Sequence, residues 1–309
     1  MTSTLSLSRP VPPTIGRRHR ARTRRLAALL VSPALLVLAL VVGYPILAAV
    51  RMSFQVSSDH IDPQTGFKVT GTTTGLANYA ITNGRFVNAL WNTTTFTVVS
   101  VAIEVAIGVG MALVMHRGLR GRGLIRSSIL VPWAIPTVVS ALLWRWIFAP
   151  SGVANAVLSA DVVWTGDGIS SWTAVIVADT WKTAPFIGLL TLAGLQAIPR
   201  QVYEAARVDG SSPITTFWRI TLPLVRPVLV VAVLFRLLDV LRMFDLPYVL
   251  VGPHKGSVET LSMLAYDEMT NLRFGPAAAY ATVLFLYVMT IAFVFVRIFG
   301  ADVTNRGAS

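Results

Sequence analysis

The chain has 309 residues, of which 54% are apolar and only 13% charged, with 26 Lys and Arg against 14 Asp and Glu. A soluble domain carries roughly 45–50% apolar and about 25% charged residues, so a soluble enzyme is excluded in favour of a membrane protein. The net charge of +12 accompanies a mean hydropathy of +0.66, which excludes a nucleic-acid binder, and the lack of cysteine excludes disulfides and thiolate metal sites.

A membrane helix needs about 20 mostly apolar residues to cross roughly 30 Å of hydrocarbon. Six segments meet that length, over residues 26–49, 89–115, 124–149, 172–198, 224–250 and 277–300. The first has no charge and the second has Glu104 alone. The third includes Arg145 and two prolines, Pro132 and Pro136, which predict a kink. The fourth carries Asp179 and Lys182, and the fifth carries Arg236, Asp239, Arg242 and Asp245. The basic residues are divided unevenly between the two sides: 17 on the side of both termini, with Arg126, Arg226 and Arg297 at span ends counted there, 5 on the other and 4 deeper within spans. That asymmetry places both termini in the cytoplasm. Residues 1–25 then read as a basic cytoplasmic tail that sets topology or touches anionic lipid, 26–300 as a transmembrane domain and 301–309 as a second tail.

Most loops are too short for a soluble domain. The largest exterior loop, between Met52 and Asn88, is polar and rich in Gly and Thr. The cytoplasmic segment over 199–223 is more ordered than a connector needs to be. Tyr203 to Val208 favours helix, Asp209-Gly210 is a stop and turn, and Ser211 or Ser212 can cap a second helix with Pro213 in its first turn. Phe217, Trp218 and Ile220 add an apolar surface. A short helix, a glycine turn and a second short helix form an element that can dock into a groove on a partner.

Glu204-Ala205-Ala206, then Gly210, then Ile220-Thr221-Leu222-Pro223 resembles the EAA loop of binding-protein-dependent ABC importer permeases. Asn78-Tyr79, Phe86, Asn92-Thr93, Trp181 to Phe186, Leu192 to Pro199, Phe244-Asp245 and Tyr248-Val249-Leu250 resemble the carbohydrate, maltose-type branch of that family. Within it the motifs are most similar to those of mycobacterial trehalose importers. One segment departs from the pattern: Val251 to Gly256 stands where relatives usually carry a Gly-Gly-Pro turn.

The resemblance implies an all-α, type I importer permease of six transmembrane helices in a bacterial inner membrane. It implies that Glu204, Ala205, Ala206, Asp209 and Gly210 form a coupling helix seated on a cytoplasmic ATPase. It also implies a second homologous permease, two ATPase subunits, an extracytoplasmic substrate-binding lipoprotein and a sugar, first of all trehalose, as substrate. Another oligosaccharide or a glycerol phosphodiester is the alternative. The chain has no Gly-x-x-x-x-Gly-Lys-Ser/Thr loop, so ATP and Mg are expected on the partner ATPase, with no cofactor on this chain and no enzymatic step of its own.

Charges within spans face a partner or a wet cavity. Arg236, Asp239, Arg242 and Asp245 are spaced by three, which gives a slanted stripe of neighbours on one helix. Spacing alone fits equally a polar translocation path and a self-neutralised ladder. The resemblance favours the path, with Asp239 and Arg242 of the fifth span and Lys182, Thr183 and Phe186 of the fourth at sugar contacts. Phe186 would stack on a pyranose ring. Glu104 reads as a hydrogen-bonding partner of a neighbouring helix. An ion-driven secondary transporter with Asp239 and Glu104 as ion sites would show paired broken helices, and the sequence offers no convincing pair.

Overall fold

The computed structural model describes residues 17–61, 68–117 and 122–299, and two compact units divide the chain at residues 51 and 52. The tails over 1–16 and 300–309 lie outside the described residues, and the expected lipid contact of the basic tail lies outside with them. Among the described residues five helices are long and apolar enough to cross a membrane, or six if one bent pair counts as a span.

The first span is one continuous helical run. It comprises α1 (Arg17–Leu38), a π-helical turn over Ala39–Gly43 and α2 (Tyr44–Ser53). Its helix therefore begins inside the segment read as tail.

The second unit opens with an element that the sequence reading left as loop. Strands β1 (Gln55–Ile61) and β2 (Lys68–Thr74) pair antiparallel, from Gln55 with Thr74 to Ile61 with Lys68. Thr and Val suit a pleated strand, and among the described residues this hairpin is the only sheet. Asn78 ties the hairpin to what precedes it, donating to the carbonyls of Ser53 (3.0 Å) and Gln55 (2.8 Å).

Helix α3 (Gly84–His116) packs along α7 (Ile169–Gln196) as the central pair of the unit. Small residues permit the approach. A Cβ added to Gly108 would stand 2.8 Å from the Ile187 Cβ, and one on Gly188 would stand 3.2 Å from the Gly108 carbonyl oxygen. Helix α10 (Leu222–Val240) lies against both, and α13 (Phe274–Phe299) packs on α12 (Leu261–Thr270).

Two expected spans are broken. The third is two helices, α4 (Arg122–Ala134) and α5 (Thr137–Ile147), bent by 95°. Pro136 disfavours helix at Ile135 and has no N–H to continue the ladder, so the kink expected there becomes a corner. The fifth ends at Val240 rather than Leu250; after four non-helical residues α11 (Asp245–Leu250) begins. Pro247 cannot bond the carbonyl four residues back, at Met243, and the Thr260 hydroxyl donates to that carbonyl instead (2.8 Å). A short helix α6 (Val153–Leu158) precedes α7.

The segment from Val251 to Thr260, whose first six residues depart from the family pattern, is strapped to neighbouring elements. Asn88 and Asn92 donate to the Gly256 carbonyl (2.5 and 2.7 Å), and Asn92 also to that of Glu259 (3.0 Å). Thr93 accepts from the Leu261 amide at 3.0 Å. The Asp167 carboxylate accepts from the Ser257 amide at 2.9 Å, and Ser257 holds the Asp167 carboxyl below its usual range. Asn92-Thr93, motif residues in the sequence, thus anchor the approach to α12.

Candidate functional sites: a coupling elbow and a charged cavity

The 199–223 segment folds as its local signals dictate. Helix α8 (Arg200–Val208) ends at a glycine turn: Gly210 has φ +71°, its N–H bonds to the Arg207 carbonyl (3.1 Å), and the Ser211 N–H bonds to that of Ala206 (3.0 Å). These are the two bonds of a Schellman ending, and the left-handed residue they require is glycine. The Ser212 hydroxyl then accepts from the Thr215 amide (3.3 Å) and caps α9 (Pro213–Thr216). The second helix is not separate as expected, because a π-helical turn over Phe217–Thr221 joins it to α10.

Of the coupling residues, Ala206 is buried, while Glu204, Ala205, Asp209 and Gly210 are exposed. Glu204, Tyr203 and Arg207 share a cleft of about 850 Å³ with Trp218 and with His116 at the end of α3. Val208, Ile214 and Trp218 are large apolar side chains left in the open around the elbow. Ile214 and Trp218 border the same cleft, and exposed apolar side chains beside a cleft suit a partner surface.

The charged residues of the spans converge elsewhere. Arg236 on α10 is 3% exposed, and its guanidinium makes four hydrogen bonds to three carboxylates. Nε donates to Glu104 Oε2 of α3 (2.6 Å), Nη2 to Glu104 Oε1 (3.0 Å) and to Asp179 of α7, and Nη1 to Asp239 Oδ2 (2.5 Å). The Thr183 hydroxyl donates to Glu104 Oε1 at 2.7 Å. Asp179 sits about 15 Å along the 28-residue α7 from its first residue, well inside the helix. The cluster ties three helices together at that level.

From this cluster the charge emerges into a cavity of about 280 Å³, lined by Asp179, Lys182, Thr183, Arg236, Asp239 and Arg242, with Thr137, Phe244 and Asp245. Asp239 and Arg242 side chains are 57% and 71% exposed, and stand 4.0 Å apart. Thr137 opens α5 just after the 95° corner, and Phe244 and Asp245 begin α11. Both broken helices therefore meet at one cavity. Non-helical backbone at membrane depth is tolerated where it is buried in protein or lines a wet cavity.

The structure brings together Lys182, Thr183, Asp239 and Arg242, as the sequence reading expected, but not Phe186. That ring stacks on Trp133 of α4 with centroids 5.9 Å apart and lies among apolar neighbours. The stripe is divided: Arg236 is a buried ladder rung, while Asp239 and Arg242 face the cavity. Of the four, only Arg236 and Asp239 lie on α10; Arg242 is in the break that follows, and Asp245 begins α11. Glu104 is wholly buried and bonded to neighbouring helices, as its bland reading held. The sequence reading gave Asp179 no role. Its signal was the i,i+3 spacing to Lys182, the only other charge in an otherwise uncharged span.

The family model for the binding-protein-dependent transport system inner membrane component matches residues 104–305. The trehalose/maltose transport system permease protein MalF of Thermococcus litoralis is 37% identical over 285 residues, 90% of this chain and 94% of that protein. The trehalose transport system permease protein SugA of Mycobacterium tuberculosis is 38% identical over 286 residues, 91% of each chain. A chain in the crystal structure of a bacterial ABC transporter that imports the acidic polysaccharide alginate aligns with a TM-score of 0.75 at 22% identity, covering 91% of this chain and 96% of that one, which speaks to fold alone. The extended elbow between the fourth and fifth spans, the broken helices around a charged cavity and these relatives place the chain in one group: it belongs to the inner membrane permease components of binding-protein-dependent ABC importers.

Proposed function

We propose that the chain is one of two permease subunits that form the membrane path of an ATP-driven sugar importer, with trehalose as the first substrate to test. The observation that carries this reading is the charged cavity, where carboxylates and cations alternate on the walls. Asp239 and Asp245 accept from hydroxyls, and Lys182 and Arg242 donate to hydroxyl oxygens. A neutral polyol uses both. The cavity's three carboxylates are matched by three cations, a lining that suits a neutral polyol. The relatives named for trehalose support the choice of disaccharide.

Glu204, Ala205, Ala206, Asp209 and Gly210 make the contact with a separate ATPase, which binds ATP and Mg. Glu204 is exposed and available to a basic group, and Ala205 allows close approach. A binding protein delivers the sugar at the opposite end of the helices. Closure of the ATPase pair moves the α8–α9 elbow. Because α9 runs into α10 without a break, that movement reaches Arg236 and Asp239 as a rigid-body displacement.

The experiment is uptake into proteoliposomes holding the permease pair, the ATPase and the binding protein, over a panel of disaccharides. Trehalose accumulation that requires internal ATP is expected. Uptake that ignores ATP and collapses with an ionophore would overturn the reading.

A further inference from the structure

We propose that Phe244, Tyr248 and Tyr266 form a second sugar-ring subsite, set between the charged cavity and the end of the helices opposite α8. The proposal rests on the reading of the chain as a sugar permease and adds a site to it.

The three rings belong to different pieces of backbone: Phe244 to the break before α11, Tyr248 to α11 itself and Tyr266 to α12. They nevertheless touch one another. Phe244 lies 5.0 Å from Tyr248 and 4.8 Å from Tyr266 between centroids, and the two tyrosines are 5.5 Å apart. Phe244 lines the charged cavity. Tyr248 and Tyr266 line a separate recess with His254, Glu259 and Asp267. One continuous aromatic wall therefore joins the two recesses. Its position follows from the strap: Asn88 at the start of α3 and Asp167 before α7 hold residues 256 and 257, far along both helices from the α8 elbow.

The polar rim suits hydroxyls. Arg85 donates to both Glu259 oxygens (2.9 and 2.6 Å) and to Asp267 (2.7 Å), which holds the two carboxylates in place as acceptors. His254 is held 3.6 Å from Asp267 by a backbone turn with φ +57°, a conformation uncommon outside glycine. A pyranose presents apolar C–H faces and a belt of hydroxyls. An aromatic wall beside fixed planar polar groups meets both features, as a few oriented polar groups on an aromatic lining do in ligand pockets generally. Tyr266 is 38% exposed, so its ring is open to a ligand in the recess.

The test is transport by the complete reconstituted importer carrying Tyr266→Ala or Tyr266→Phe, with trehalose, at varied concentrations of sugar-loaded binding protein. Tyr266 is partly exposed, so truncation leaves the fold in place, and copurification with the ATPase checks assembly. Tyr266→Ala is expected to lower turnover at saturating binding protein several-fold, with the half-saturating concentration of binding protein unchanged, while Tyr266→Phe keeps wild-type turnover. Three results would overturn the subsite: unchanged turnover in Tyr266→Ala, an equal loss in Tyr266→Phe, or a raised half-saturating concentration with turnover intact, which would mark a docking surface. Failure of the wild-type complex to carry any sugar would instead overturn the functional reading beneath it.

Discussion

The coupling elbow and the charged cavity are built in opposite ways. The elbow is made of contiguous residues: α8, a glycine ending and a serine cap follow one another in the chain, and each bond spans a few positions. The cavity draws on α5, α7, α10 and α11, and the buried cluster behind it links residues as far apart as Glu104 on α3 and Arg236. A docking element must keep its shape while its partner moves, and local bonds supply that. A translocation path must change shape, and groups carried on separate helices allow it. The two are joined by one uninterrupted helical run from Pro213 to Val240.

The largest expected effect strikes the non-local half. Glu104→Ala removes the bidentate partner of a buried guanidinium, and breaking a buried pair in this way costs about 3–5 kcal/mol. Thermal unfolding of the purified chain should show it, with Glu104→Gln milder because the amide oxygen still accepts. A near-silent Glu104→Ala would mean that the cluster does not hold the three helices. Next comes Gly108→Val, which forces a side chain against Ile187 and Ala184 at the α3–α7 contact. Overpacking of this kind costs about 1–3 kcal/mol, measured by the same method.

A smaller stability cost, with a sharper functional one, falls on the elbow. Gly210→Ala places a Cβ in left-handed backbone at about 1–2 kcal/mol. Its cost should remain local, weakening ATPase copurification without lowering the unfolding temperature of the bundle. Loss of both together would erase the distinction between the halves. The smallest effect belongs to Phe186→Leu. Because Phe186 stacks on Trp133 outside the charged cavity, sugar uptake should change little, and a large loss would restore Phe186 to the path.

How much of this was legible in the sequence follows the same division. The elbow was readable residue by residue, since helix propensity, an Asp-Gly stop and a serine before proline act within a few positions. Six apolar segments were readable as spans because hydropathy is a sum over neighbours. The break after Val240 was not, although Pro247 was in plain view. A proline in an apolar run signals a kink, and only the Thr260 hydroxyl, reaching Met243 from a different element, makes a full interruption affordable. The corner before Thr137 was likewise underestimated as a kink. Lys182, Thr183, Asp239 and Arg242 were picked out through family resemblance, and they do share a cavity. That Arg236 is buried while Asp239 is open could not be read from an i,i+3 spacing, because burial depends on Glu104 and Asp179 arriving from two other helices. The hairpin over 55–74 was missed because its threonines and glycines read as loop until they pair.

The central claim is that the charged cavity handles the substrate while the elbow handles the ATPase. The most direct measurement compares Asp239→Ala with Glu204→Ala in the reconstituted importer, scoring trehalose uptake and ATPase copurification side by side. The account predicts that Asp239→Ala loses uptake by tenfold or more, on the order of 1.4 kcal/mol or greater in the transition state, yet retains its ATPase, while Glu204→Ala loses both. Normal uptake by Asp239→Ala, or a Glu204→Ala complex that transports at the wild-type rate, would contradict it.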